Sequence, residues 1–362
     1  MEFTAITAPL ADAAALLVRL MPGRGPAPAG VLVRARDHEV ELVCGDGELA
    51  VRVQVPAIVR DTGEAVVPRR ALAATLAGLT CAEVRMTGAG SRLTLRTPSA
   101  RYALPVIAAG GGPTIAPPPI VGRVTGRDLR AATGPVSSAA TRDHALPIFT
   151  GVRMRATAEG LSLIATDRYR MATAVVGWSG GSLDALVPAS WLAESAKLAA
   201  SAAEVSVHAD DHRFGLSWPG VTIVGGVLGH AFPDGQAARL LDAEPEAEAV
   251  VDATDLFGAV ERASLFAGAT ARVTVQFGDG VLVIRGSDES AGEAEEVVKA
   301  TVDGALLTQA YQTRYLLDAV RGFAAGPLVI RVQSGVRPTV LMRPAGADSV
   351  RLRYLIVPLR DR

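Results

Sequence analysis

The chain has 362 residues, enough for two or three ordinary domains. Apolar residues make up 49% of it but aromatics only 4%, so its cores must be built from Ala, Val and Leu. Lys and Arg number 36 against 37 Asp and Glu, a formal charge of -1; this excludes a nucleic-acid protein basic all over and leaves open charge sorted by face. Two cysteines, Cys44 and Cys81, with no CxxC or Cys/His cluster, argue against a zinc site or a disulfide framework and fit a reducing cytoplasm.

The opening MEFTAITAPLADAAALLVRL carries Glu2 and Asp12 and lacks a basic region before its apolar part. It reads as a strand and then a helix over 10–20, not as a signal peptide. GVLVRARDHEVELVCGD (30–46) reads as strand, polar turn, strand, then a small residue and Asp46. A second helix is expected over VPRRALAATLAGL (67–79), with proline in its first turn, and a strand at RYALPV. The Pro/Gly-rich AAGGGPTIAPPPIVG (108–122) reads as a linker.

The pattern then restarts. A helix is expected over TGRDLRAAT (125–133), opened by Thr125 and Asp128. GVRMRATAEGLSLIATD ends at Asp167, with period-two alternation in Val152, Met154 and Leu161, Leu163. VPASWLAESAKLA (187–199) repeats the Val-Pro helix entry, GHAFPD the terminal strand, and the acidic LDAEPEAEA (241–249) reads as a second linker. The third round has a helix over DATDLFGAVERA (252–263) started at Thr254, and the hairpin ARVTVQFGDGVLVIRGSD ending at Asp288. It continues with a helix over LTQAYQTRYLLDAVRGF (307–323) and the strand YLIVPL. Asp46, Asp167 and Asp288 stand 121 positions apart at each step. Two equal steps with matching flanks predict three copies of one α+β unit, with boundaries at 1–121, 122–246 and 247–362. Such copies in a row suggest an arc, which closes if two chains meet head to tail.

LPIFTGVRMRATAEGLSLIATDRYRMATAVV (146–176), FPD (232–234) and YLIVPLR (354–360) resemble, in order, segments of the bacterial DNA sliding clamps. These are the beta subunits of DNA polymerase III, and the likeness is to actinobacterial members. The resemblance covers the whole chain. It implies three clamp domains per chain, with helices inside and antiparallel sheets outside, in a head-to-tail homodimer around duplex DNA. It implies no chemistry of the chain's own, whatever polymerase or exonuclease activity the holoenzyme has, and no cofactor, metal or membrane. The expected partners are the polymerase alpha subunit, the clamp loader and repair polymerases, in the cytoplasm with the nucleoid.

A sliding protein needs attraction to phosphates without base reading. On the expected helices that points to Arg69, Arg70, Arg127, Arg130, Lys197, Arg262 and Arg314, with Arg321 beside them, and the resemblance implies Arg24 and Arg142, with His144, in loops that approach DNA. The resemblance also implies a groove for partner peptides. Its first part is Phe149, Thr166, Arg168, Tyr169, Arg170, Met171, Pro233, Ala237 and Ala238. The last third adds Tyr315, Val340, Leu355, Val357, Pro358 and Leu359. Arg170 is expected to hold peptide carbonyls, with Phe149, Met171 and Val357 as the apolar wall. Tyr102 and Leu104 on one side, and Leu265 and Phe266 on the other, are the expected dimer seam. The chain departs from the family at Ala237 and Ala238, where a basic and a branched residue are common, and at Asp361. An accessory or inhibitor-evading clamp is therefore an alternative.

Readings of other classes are weaker. The three aspartates are equivalent positions in separate copies and cannot converge on one metal ion; each is expected to end a strand by accepting turn hydrogen bonds. Asp210, Asp211 and His212 read as a hairpin tip, and GGG at 110–112 lacks the context of a phosphate loop. A repeat scaffold that ignores DNA is the remaining alternative.

Overall fold

A computed structural model describes residues 1–21, 30–107, 115–229, 232–233, 235, 237–344, 346 and 349–360, apart from the side chains of 237 and 238. The chain forms two compact units. One comprises Met1–Arg123 with Ser201–Val227, the other Val124–Ala200 with Leu228–Arg362.

The three expected hairpins are present as Gly30–Arg36 with Glu39–Gly45, Gly151–Thr157 with Gly160–Thr166, and Arg272–Gly278 with Val281–Asp288. Their turns need left-handed backbone. Asp279 and Gly280 both have positive φ, the pattern of a two-residue hairpin turn. Gly160 sits at φ +131°, and a Cβ there would lie 2.2 Å from the Val176 carbonyl oxygen, so no other residue fits.

The aspartates after the hairpins share one geometry. Asp46 Oδ1 accepts the N–H groups of Glu48 and Leu49 at 3.0 and 2.9 Å. Asp167 Oδ1 accepts those of Tyr169 and Arg170, both at 3.0 Å. Asp288 Oδ1 accepts those of Ser290 and Ala291 at 2.9 and 3.2 Å. Asp210 does the same for His212 and Arg213. Each carboxylate satisfies two N–H groups as the chain turns. Hydrogen bonds, that of the Ser290 hydroxyl first, hold the Asp288 carboxyl below the usual range.

The helices that open the copies are α1 (Thr7–Leu20), α3 (Gly126–Ser138) and α6 (Ala253–Ser264). They bury one spacing of residues: Leu10, Ala13, Ala14 and Leu17; Leu129, Ala132, Thr133 and Val136; Leu256, Ala259, Val260 and Ala263. That i, i+3, i+4, i+7 stripe lays each helix on its sheet, and the small residues let it lie close. Mid-copy helices α2 (Arg69–Ala77), α4 (Ala189–Leu198) and α7 (Thr313–Arg321) each follow a strand directly. A short helix α5 spans Ala237–Leu241.

Several element boundaries differ from the sequence expectation. Pro68 and Pro188 are the last strand residues and N-cap positions, not first-turn residues. The segment Leu307–Gln312 is a strand paired with Arg272–Gly278, so α7 takes only the second half of the expected helix. Asp252, not Thr254, caps α6: its Oδ1 accepts the N–H groups of Thr254 and Asp255 at 2.8 and 3.3 Å, and the Thr254 bond above all holds the carboxyl below its ordinary range. Thr125 caps α3 as expected, through the Asp128 N–H at 3.1 Å. Phe232 lies outside any strand, and the acidic segment is only partly linker, since Leu241 is buried at the end of α5 and Ala247 opens the strand Ala247–Asp252.

Hydrogen bonding also crosses the repeat boundaries. In the first unit, Val221–Gly226 pairs with Leu49–Asp61. The sheet continues through Glu2–Ile6, Glu83–Ala89 and Arg92–Arg96 to Arg101–Pro105. In the second unit, Arg170–Val176 pairs with Arg351–Ile356, from Arg170 opposite Ile356 to Val175 opposite Arg351. The middle copy thus gives strands to both units. Within the second unit, α3 packs against both α4 and α7, and α7 against α6.

Candidate functional site

The turn ATDRYR (165–170) is wired from within. Thr166 Oγ1 donates to the Arg170 carbonyl at 2.7 Å and accepts the Arg168 N–H at 3.1 Å. With Asp167 holding the next two N–H groups, Arg168 is fixed at φ +80°. Its guanidinium lies 5.8 Å from the Phe149 ring centre and 5.9 Å from that of Tyr169. Tyr169 stacks on Tyr315 at 6.4 Å and 20°. Arg314 lies 5.2 Å from the Tyr315 ring centre.

Arg170, expected to hold peptide carbonyls, is turned inward. Only 5% of its side chain is exposed. Its Nε donates to Asp167 Oδ2 at 3.0 Å and its Nη1 to Asp318 Oδ2 at 2.7 Å, with the guanidinium 4.5 Å from the Tyr315 ring centre. Two carboxylates and a ring thus hold the cation and tie the turn to α7. Behind it Tyr354, fully buried, shares a hydrogen bond of 3.1 Å with Ser138 at the end of α3; burial pushes its phenol up to about 12.

Beside this turn lies an apolar cluster of Ile164, Met171, Leu186, Phe232, Leu241, Val340 and Leu355. Ile148, Leu228 and Val357 pack on it half-buried. Met171, Val340, Leu355 and Val357 were expected here. Phe149 meets Arg168, and its neighbour in the turn Pro147–Phe149, Ile148, packs on the cluster. Ile148, Ile164, Leu186 and Leu228 were missed, because on a sequence they look like any core aliphatics. The tail is anchored by backbone bonds, Val357 N–H to Tyr169 O at 2.9 Å and Leu359 N–H to Ala310 O at 2.7 Å, and Pro358 is buried. Pro233 is exposed. The side chains of Ala237 and Ala238, and Asp361, lie outside the described residues.

Most of the expected basic residues are exposed. Arg70, Arg127, Arg130, Arg142, His144, Lys197, Arg314 and Arg321 are exposed. Arg127 and Arg130 share one side of α3 by their spacing. Lys197 meets Glu194 at 3.3 Å. Arg19, in the last turn of α1, is exposed too and was overlooked. One expectation changes. Arg69 is 4% exposed and donates to the Met21 carbonyl, so it braces α2 inside the fold. Arg262 is exposed but ion-paired with Glu296 through two bonds of 2.9 and 2.8 Å. Arg24 lies outside the described residues.

Among the seam residues, Tyr102 is 41% and Leu265 75% exposed, while Phe266 is half-buried. Leu104 is only 8% exposed, a core residue of its own unit, although it shares a strand face with Tyr102. Arg101–Pro105 pairs only with Arg92–Arg96 among the described strands, leaving one edge open. Gly292–Gly304 is paired with Val281–Asp288 over 292–299, but on its other side only 300–304 meets a described neighbour, Ala247–Asp252. Val297 on that half-open strand is 60% exposed and was not anticipated. Among the described residues no group of His, Cys, Asp and Glu is placed to hold a metal, and no helix is long and apolar enough to cross a membrane.

The chain matches the profiles of the DNA polymerase III beta subunit over almost its whole length: N-terminal domain at 1–116, central domain at 123–234 and C-terminal domain at 238–360. The chain belongs to the beta sliding clamp family. This family is one of non-catalytic processivity subunits. A beta sliding clamp of Streptomyces coelicolor is 30% identical, covering 97% of each chain, and the beta sliding clamp homolog GriR of Streptomyces muensis is 27% identical over 92% of each. In fold, the chain superposes along its full length on the DnaN sliding clamp of Pseudomonas aeruginosa bound to griselimycin, with a TM-score of 0.89 at 21% identity. The beta subunit of Thermotoga maritima gives 0.87 at 20% identity, again over both full chains.

Proposed function

We propose that two copies of this chain close head to tail around duplex DNA and hold the replicative polymerase there. The observation that carries the reading is the clamp-family match in three consecutive domains, which we bound at 1–121, 122–246 and 247–362. A closed ring raises the local concentration of its partner at the primer end without any strong contact to DNA. Arg19, Arg70, Arg127, Arg130, Arg142, Lys197 and Arg314 supply the sequence-blind attraction to phosphates. The open edge of Arg101–Pro105 with Tyr102, against Leu265, Phe266 and the half-open strand that carries Val297, forms the seam, since paired edges satisfy their N–H and C=O groups. The cluster around Met171, Val340 and Leu355 with the Tyr169–Tyr315 rim takes peptides of the polymerase alpha subunit, clamp loader and repair polymerases. The protein works in the cytoplasm and performs no catalysis itself.

A second reading, an accessory clamp with altered partner choice, is favoured by Ala237 and Ala238 at the start of α5, where the family resemblance leads one to expect a charge and a branched side chain. Primer extension with the polymerase and clamp loader of the same organism tests the main reading. Adding the protein is expected to lengthen products at least about tenfold, in line with the usual gain from tethering. Unchanged product lengths contradict the replicative role.

A further inference from the structure

We propose that Arg168 is a specificity-determining residue of the partner groove, where it holds a carboxylate of the bound peptide beside the peptide's apolar anchors. The proposal rests on the groove reading above and names what the groove selects. Arg168 stands at φ +80°, a conformation long side chains rarely adopt. Four hydrogen bonds of the turn, from Thr166 and Asp167, hold it there. The exposed guanidinium has no carboxylate partner among the described residues. Arg170, two residues on, differs: it has Asp167 and Asp318.

Phe149 and Tyr169 position the cation on their rings without neutralising it. Beyond Tyr169, which is 55% exposed, comes Tyr315, stacked on it. An uncompensated cation therefore borders a stacked tyrosine pair, next to the half-buried Ile148 and Val357. A positive rim beside an apolar floor is complementary to a peptide with aliphatic or aromatic anchors flanked by Asp or Glu. Single-stranded nucleic acid could use rings and cations but not the aliphatic floor, so the peptide is favoured.

The test uses labelled peptides with Leu and Phe anchors and an Asp placed at each flanking position in turn, against their Asn counterparts, by fluorescence polarisation on the full chain. Arg168→Gly suits the positive φ and should keep the fold. At one position the wild type is expected to favour Asp about fivefold at low salt, fading as salt rises, and Arg168→Gly should lose that preference while keeping the apolar part of the affinity. Equal binding of Asp and Asn peptides at every position, or a preference that survives Arg168→Gly, overturns the proposal. So does a single-stranded oligonucleotide that displaces the peptides and itself depends on Arg168. If no peptide binds either protein, the groove reading falls, and this one with it.

Discussion

Replacing Arg170 by alanine should cost about 3 kcal/mol in urea unfolding, the lower part of the range for removing one partner of a buried ion pair. The guanidinium is 5% exposed, Asp167 8% and Asp318 23%. Its loss leaves two carboxylates facing each other near the Tyr315 ring, with the backbone of the Asp167 turn still fixed around one of them. Partial access of water to Asp318 keeps the cost from the top of the range. Arg170→Lys should recover only part, because an ammonium cannot span two carboxylates and a ring in one plane. Arg170→Met combined with Asp167→Asn and Asp318→Asn should recover more than lysine does, since the unpaired charges are then gone. A loss below about 1 kcal/mol, the scale of an exposed pair, would show that this contact does not join the turn to α7.

Reversing charge on the helices should weaken DNA binding sharply and leave the fold intact. In the triple variant Arg127→Glu, Arg130→Glu and Arg314→Glu, three exposed cations change sign on α3 and α7. Each phosphate contact contributes about 0.9 to the slope of log affinity against log salt, so losing three lowers it by roughly 2.7. Surface changes of this kind move stability by only about 0.5 kcal/mol each. Arg262→Glu is the control. Its guanidinium is already ion-paired with Glu296, so the salt slope should change by less than half of one contact's share, under about 0.45. Equal effects from Arg262 and from the α3 arginines would mean that exposure and ion pairing do not decide which cations meet DNA.

The repeat was legible in the sequence because hairpins and their closing aspartates obey local rules. Alternation sets the strands, and a carboxylate that accepts two turn N–H groups needs only its own neighbours. The buried stripes of α1, α3 and α6 follow from spacing alone. What escaped depends on partners distant in sequence. Arg69 and Arg127 look alike in a helix, yet one is buried against Met21 and the other is exposed. Arg170 lies 148 positions from Asp318, its second carboxylate, and no local pattern announces that bond. Leu307–Gln312 has its apolar residues at 307, 310 and 311, a helical spacing that runs on into α7, and only pairing with Arg272–Gly278 makes it a strand. Half-open edges such as Gly292–Gly304 exist only once the sheet is assembled.

The most direct measurement is retention on DNA of two topologies. The protein is loaded onto a nicked circular duplex by the clamp loader, passed through gel filtration in about 0.5 M salt, where phosphate attraction is largely screened, and the circle is then cut once. A closed ring predicts that protein stays with the circle at high salt and leaves after the cut, with the freed protein at twice the single-chain mass. Release from the uncut circle at that salt, or equal retention before and after cutting, would contradict a ring held on DNA by topology.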